Sequence, residues 1–103
     1  MINNIVIVGK IAEAPEIKET VMGNKVCSLL LDVERNFPNA DGVYQSDFIP
    51  ITLWRGMADE AYAHCQVGTL IGVKGRLQTH DAKSKAGNEF RSLNIIAETI
   101  TYL

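Results

Sequence analysis

Only one stretch of this 103-residue chain suits an α-helix, and it falls after the third of five strand-like runs. MADEAYAHC, from Met57 to Cys65, has no Gly, Pro or β-branched residue and is rich in Ala, enough for about two helical turns. Met57, Ala61 and Cys65 recur along one stripe of it, and Gly68 stands where such a helix would end. Elsewhere, short apolar runs alternate with turn signals. Ile2 to Ile11 is largely apolar and ends at Gly9 and Lys10, as a strand does; Pro15 and a polar segment then lead to the turn signal Gly23-Asn24. Val26 to Arg35 puts Cys27, Leu29, Leu31 and Val33 on one parity against Ser28, Asp32 and Glu34, with Leu30 breaking the pattern. NFPNADGVYQS reads as a hairpin loop into a third strand at Asp47. Thr69 to Thr79 alternates Ile71, Val73, Gly75, Leu77 and Thr79 with Lys74, Arg76, Gln78 and His80. AKSKAGNE makes a polar hairpin tip, and Phe90 to Leu103 a last strand.

One helix is too few to cross over a parallel sheet, so the chain reads as a single all-β domain spanning residues 1–103. Three strands, a short helix and two strands is the element order of an OB-fold. That fold is a five-stranded Greek-key barrel with its helix between strands three and four. Its strand two and three face, with the one-to-two and four-to-five loops, holds oligonucleotides or oligosaccharides. Lys83 and Lys85 fall on the four-to-five loop. The third strand, DFIPITLWR from Asp47 to Arg55, carries Ile49, Ile51 and Leu53 on one face and Phe48, Thr52 and Trp54 on the other. The aliphatic face reads as core. The aromatic face suits base stacking, although two aromatics alone would more often fill a second apolar layer or a subunit interface.

The remaining composition excludes more than it assigns. A hydrophobic share of 47% and a charged share of 21% are those of a globular domain with a core. The longest apolar stretch, Val26 to Leu31, is interrupted at Ser28 and falls far short of the roughly 20 residues that cross a bilayer. MINNIVIVGK lacks the basic and long apolar regions of a signal peptide, so a cytoplasmic protein without membrane association is expected. Cys27 and Cys65 lie far apart among apolar neighbours and read as reduced, packed thiols; no metal or other cofactor is implied. His64 and Cys65 are adjacent on the helix and cannot face each other, and no Gly-rich phosphate loop precedes a helix, so the chain does not read as an enzyme. The net charge of −2 means that any nucleic-acid contact must use local positive charge. Lys10, Arg35, Arg55, Lys74 and Arg76, at strand ends or on polar strand faces, are the candidates.

Several pieces in fixed order carry a family resemblance: INNIVIVGKI followed by Pro15-Glu16, the run Val26 to Phe37, Asp47-Phe48, Trp54-Arg55 with Ala58, Gly68, Gly72-Val73-Lys74-Gly75-Arg76-Leu77, and Ala97-Glu98. Together they resemble bacterial single-stranded DNA-binding proteins from end to end. The resemblance implies a homo-oligomer, a tetramer in preference to a dimer, that wraps single-stranded DNA without sequence preference in replication, recombination or repair. It implies base stacking by Phe37, Phe48 and Trp54. It also implies a fourth stacking aromatic where this sequence has Ala82, and a helix-packing aromatic where it has His64. The sequence ends at Thr101-Tyr102-Leu103, without the Gly- and Pro-rich linker and acidic tail through which such proteins usually recruit replication and repair enzymes. Either the natural protein lacks that tail or these residues are a piece of a longer chain. Primosomal replication proteins of the N type, dimeric adaptors that contact helicase and DNA, are similar in length and fold. Trp54-Arg55 and the Ala-rich helix fit the general binder better.

Overall fold

The computed structural model describes residues 1–103, except for the side chain of Ala82. Its elements are β1 (Ile5–Glu19), β2 (Lys25–Glu34), β3 (Ser46–Trp54), α1 (Gly56–His64), β4 (Leu70–Lys83) and β5 (Glu89–Tyr102). The strands close into a barrel in the order β1-β2-β3-β5-β4, with β4 returning to β1. All pairings are antiparallel except β3 with β5. This is the expected all-β barrel with its helix between the third and fourth strands.

The inward parity of each strand builds the core. Ile11, Leu29, Leu31, Ile51, Leu53, Ile71 and Val73 are fully buried, each worth about 1.5–3 kcal/mol relative to exposure. The helix packs on β1, β2 and β3. It does so through Ala58 and Ala61, small enough for close approach, with Cys65 following them into the core. An ion pair from Lys25 Nζ to Asp59 Oδ1, 3.0 Å, ties the start of β2 to the helix.

Two strands run further than the sequence suggests. β1 does not end at Gly9 and Lys10; it continues through Pro15 to Glu19, and its register against β2 shifts between Ile11 and Glu13 and again between Glu13 and Glu16. Pro15 falls within that irregular stretch, where a missing N–H costs no ladder bond. The shifts let one strand serve two neighbours, Ile5–Lys10 pairing with β4 and Lys10–Glu19 with β2. The other extension is in β4, which runs past Thr79 to Lys83 and makes with β5 a two-stranded arm outside the barrel. At the root of the arm Glu98 is an extra residue on β5, between the rungs Lys74↔Thr99 and Gly75↔Ala97. A Cβ on Gly75 would collide with the Ile96 carbonyl, so only glycine permits this approach.

Candidate nucleic-acid interface

Parity and register together place the candidate residues. In β3 the inward set Ile49, Ile51 and Leu53 is wholly or largely buried, while Phe48 is 59% and Trp54 40% exposed on the outside. Across the ladders, Phe48 pairs with Asp32 and Asp32 with Lys10, so these three share one outer rung. Trp54 pairs with Val26 and Val26 with Lys18, a second rung of the same face. The two aromatics are six residues apart on β3, about 20 Å at the rise of a strand. Glu13 and Glu16 lie between them on β1, opposite Leu30 and Ser28.

Phe37 projects from the β2–β3 loop and is exposed. The loop is held by Asn39, whose Oδ1 accepts from the backbone N–H of Asp41 and of Val43, both at 2.9 Å, and by Arg35 at its base. The Arg35 Nε and Nη2 donate to the two oxygens of Asp47 at 3.1 and 2.9 Å, and Nη1 donates to Gln45 Oε1 at 3.2 Å. The guanidinium holds the Asp47 carboxyl below its usual range, and Asp47 in turn raises Arg35. Phe37, Arg35 and Asp47 line a shallow hollow with Val6 and Val8, on the β1 side of the barrel.

The other cations are freer. Lys10, Arg55 and Lys74 make no ion pair among the described residues, and Arg76 has only a loose one, 3.9 Å to Glu98. Arg55 is held in place by its backbone. It precedes α1 with φ 56°, the one non-glycine residue with positive φ among the described residues, and its N–H donates to the Lys25 carbonyl at 2.8 Å. That conformation is costly for a residue with a side chain, and it sets the chain direction immediately after Trp54. Between Lys74 and Arg91, five basic side chains (Lys74, Arg76, Lys83, Lys85, Arg91) face two acidic ones (Asp81, Glu89). The β4–β5 region is therefore positive in a chain of net charge −2.

The structure thus brings Phe48, Trp54 and Lys10 onto one face, sets Phe37 apart from them beside Val6 and Val8, and leaves Arg35 engaged within the protein. The side chain of Ala82 lies outside the described residues. His64 packs its ring against Tyr102 with centroids 5.7 Å apart, so it serves the packing role an aromatic would. Burial raises the Cys65 thiol, the opposite of what a nucleophile needs. Among the described residues no His, Cys, Asp and Glu group could hold a metal ion. Among the described residues no helix is long and apolar enough to cross a membrane. Sequence reasoning missed Lys18: ending the first strand at Gly9 and Lys10 hid the alternation of Ile17 and Lys18 that brings Lys18 onto the rung of Trp54.

Residues 2–103 match the single-strand binding protein family. The chain belongs to that family. Among its relatives, Single-stranded DNA-binding protein B of Bacillus subtilis (strain 168) is 33% identical over the whole of this chain and 91% of its own length. The Single-stranded DNA-binding protein of Enterococcus faecalis (strain ATCC 700802 / V583) is 35% identical, again over the whole chain but over 55% of its own length. Single-stranded DNA-binding protein 1 of Staphylococcus aureus (strain Mu50 / ATCC 700699) is 36% identical, with 66% of its length covered. The chain therefore spans nearly all of one relative and half to two thirds of the others. As a member of the family it presents its exposed aromatics on the outer face of β3, the strand on which an OB-fold receives oligonucleotides.

Proposed function

We propose that this chain binds single-stranded DNA without sequence preference, protecting it during replication, recombination or repair in the bacterial cytosol. The observation that carries the proposal is the exposure of Phe48 and Trp54 on one outer face that also carries Lys10. Aromatic platforms stack any base, and cations beside them track the backbone. In this reading Phe48 and Trp54 each take a base, Phe37 takes a third at the loop, and Lys10, Arg55, Lys74 and Arg76 contact phosphates. Arg35 serves chiefly by holding the loop of Phe37. No bond is made or broken, so the reading is of a binder and not an enzyme.

The protein acts as a homo-oligomer, a tetramer in preference to a dimer. Val6 and Val8 support this: they point out of the barrel on β1, 69% and 53% exposed, Val8 opposite Gly72 and Val6 opposite Lys74 on β4. A flat apolar strip of this kind calls for cover. No structural feature favours the adaptor reading. Titration with oligo-dT tests the proposal: emission from Trp54, the sole tryptophan, should fall on binding. Equal affinity for duplex would sink the stacking mechanism.

A further inference from the structure

We propose that Asn3 is a positioning residue for DNA binding: its side-chain amide latches the backbone of β4 at Leu77, at the root of the β4–β5 arm, and so keeps the neighbouring Arg76 in line with the stacking face of β3. The proposal rests on the binding function argued above, and Asn3 serves it through Arg76 without touching DNA itself.

The register shows the latch. β1 pairs with β4 from Lys10↔Leu70 to Ile5↔Gly75, where the backbone ladder stops. The same register carried two residues further would set Asn3 opposite Leu77, but Asn3 lies outside the strand. Its side chain takes the place of its backbone. Asn3 Nδ2 donates to the Leu77 carbonyl, and the Leu77 N–H donates to Asn3 Oδ1, both at 2.8 Å. One amide thus supplies the donor and the acceptor that a further rung would need. Leu77 accordingly turns its N–H and C=O away from β5. By alternation Thr79 and Asp81 turn theirs to the same edge, where no strand lies beside them among the described residues. On the other edge, β5 pairs with β3 only at Ile51↔Ile95 and Thr52↔Ile96, and Ile95 stands opposite Leu77. The two ties bracket the root of the arm at one level.

That level is where Arg76 sits. Thr52 shares the outer face of β3 with Phe48 and Trp54. Ile96 pairs with Thr52 and Arg76 with Ile96, so the guanidinium stands on a rung that continues the stacking face. Its own side-chain contacts are loose: Nη2 donates to Gln78 Oε1 at 3.4 Å, and Nη1 lies 3.9 Å from Glu98. Glu98 is also the extra residue that interrupts the ladder beside Gly75, and a bulge bends the strand that carries it and adds twist. A two-stranded ribbon is marginal on its own. The direction of the arm beyond this bend, and the placing of Arg76 with it, therefore depend on what ties the root.

Amide exchange and oligo-dT titration together test the latch. In the wild type the Leu77 N–H should exchange more slowly than the Thr79 N–H, which faces the same edge without Asn3. Asn3→Ala should speed Leu77 exchange by roughly 5- to 150-fold, the loss of two neutral hydrogen bonds, while the amides of the barrel core keep their protection. It should weaken oligo-dT binding by no more than that factor. The salt slope should become shallower by up to about 0.7, the share of one phosphate contact. In an Arg76→Ala background, Asn3→Ala should weaken binding no further. By linkage, saturating oligo-dT should slow Leu77 exchange in the wild type but not in Arg76→Ala. Leu77 exchanging as fast as Thr79 in the wild type, wild-type affinity of Asn3→Ala, or equal losses from Asn3→Ala with and without Arg76 would each overturn the assignment. So would a change of subunit number in Asn3→Ala by light scattering, which would give the N-terminal segment to an interface between copies. If oligo-dT leaves wild-type Trp54 emission unchanged, the binding function falls and the role of Asn3 with it. If wild-type emission falls and Asn3→Ala binds as the wild type does, only the role of Asn3 falls.

Discussion

Arg35 grips both carboxylate oxygens of Asp47, at 3.1 and 2.9 Å, and so closes the base of the loop that carries Phe37. An arginine at a strand end beside an aromatic invites a phosphate-contact reading, but here its fork is occupied by a carboxylate in the bidentate geometry that suits it. Arg35→Ala and Asp47→Asn should therefore weaken oligo-dT binding by similar, modest factors, and the double variant should be no worse than either single one. A double-mutant cycle measures this. If Arg35→Ala is harmful and Asp47→Asn is neutral, Arg35 reaches DNA directly.

Trp54→Ala should weaken binding by about 1–3 kcal/mol for every sequence tested, and Phe48→Ala by a similar amount, if each ring stacks one base. Neither change should alter the urea midpoint appreciably, because both rings stand outside the core. A large drop in midpoint for either variant would instead make that ring part of the packing.

Much of this arrangement was legible in the sequence because it depends on local periodicity. The alternation along Asp47–Arg55 predicts which β3 residues face out, and the one Ala-rich stretch places the helix. What was not legible depends on register between distant segments. Gly9 and Lys10 read locally as a strand end, and only the pairing with β2, with its shifts around Pro15, carries β1 on to Glu19. Arg35 reads as a free cation until the loop closes and brings Asp47 to it. β5 joins β3 only through the parallel pairing of Ile51 with Ile95 and Thr52 with Ile96, and no residue near either position in the sequence announces that contact.

Val8→Glu should reduce the subunit number. The side chain points out of the barrel beside Val6, so a charge there leaves the fold intact and penalises burial against a second copy. Light scattering over a concentration range, with circular dichroism as the control for folding, measures the effect. A wild-type protein that stays monomeric at every concentration would remove the basis for the homo-oligomer.

Alkaline stability should report on Tyr102. Burial, together with the neighbouring Cys65 and Glu60, pushes its phenol from 10.0 up to about 12. Its hydroxyl is enclosed without a hydrogen-bond partner of good geometry. Above pH 10 the unfolded chain releases this proton and the folded one keeps it, so the unfolded state binds fewer protons and stability falls as pH rises toward 12. Tyr102→Phe lacks this loss. Urea midpoints of the two proteins should be close at pH 8, or slightly higher in the variant, and the wild type should fall behind as pH climbs above 10. Parallel curves would mean that the phenol titrates alike in both states.

Salt dependence decides how an acidic protein holds a polyanion. With Arg35 engaged by Asp47, four cations remain for phosphates: Lys10, Arg55, Lys74 and Arg76. Each phosphate neutralised on a single strand releases counterions worth a slope near −0.7 in log affinity against log salt, so four contacts give about −2.8 per subunit. Raising salt fourfold should then cost about fifty-fold in affinity by the same relation. Arg76→Ala should make the slope shallower by roughly 0.7 without changing base preference, because a phosphate contact positions the strand and carries no sequence information. Its 3.9 Å pair with Glu98 is long enough to yield to a phosphate. Trp54→Ala, in contrast, should lower affinity equally at every salt concentration, because stacking releases no counterions. A wild-type slope near zero would mean that the cations form no track, and that Glu13 and Glu16, on the face between Phe48 and Trp54, set the local field.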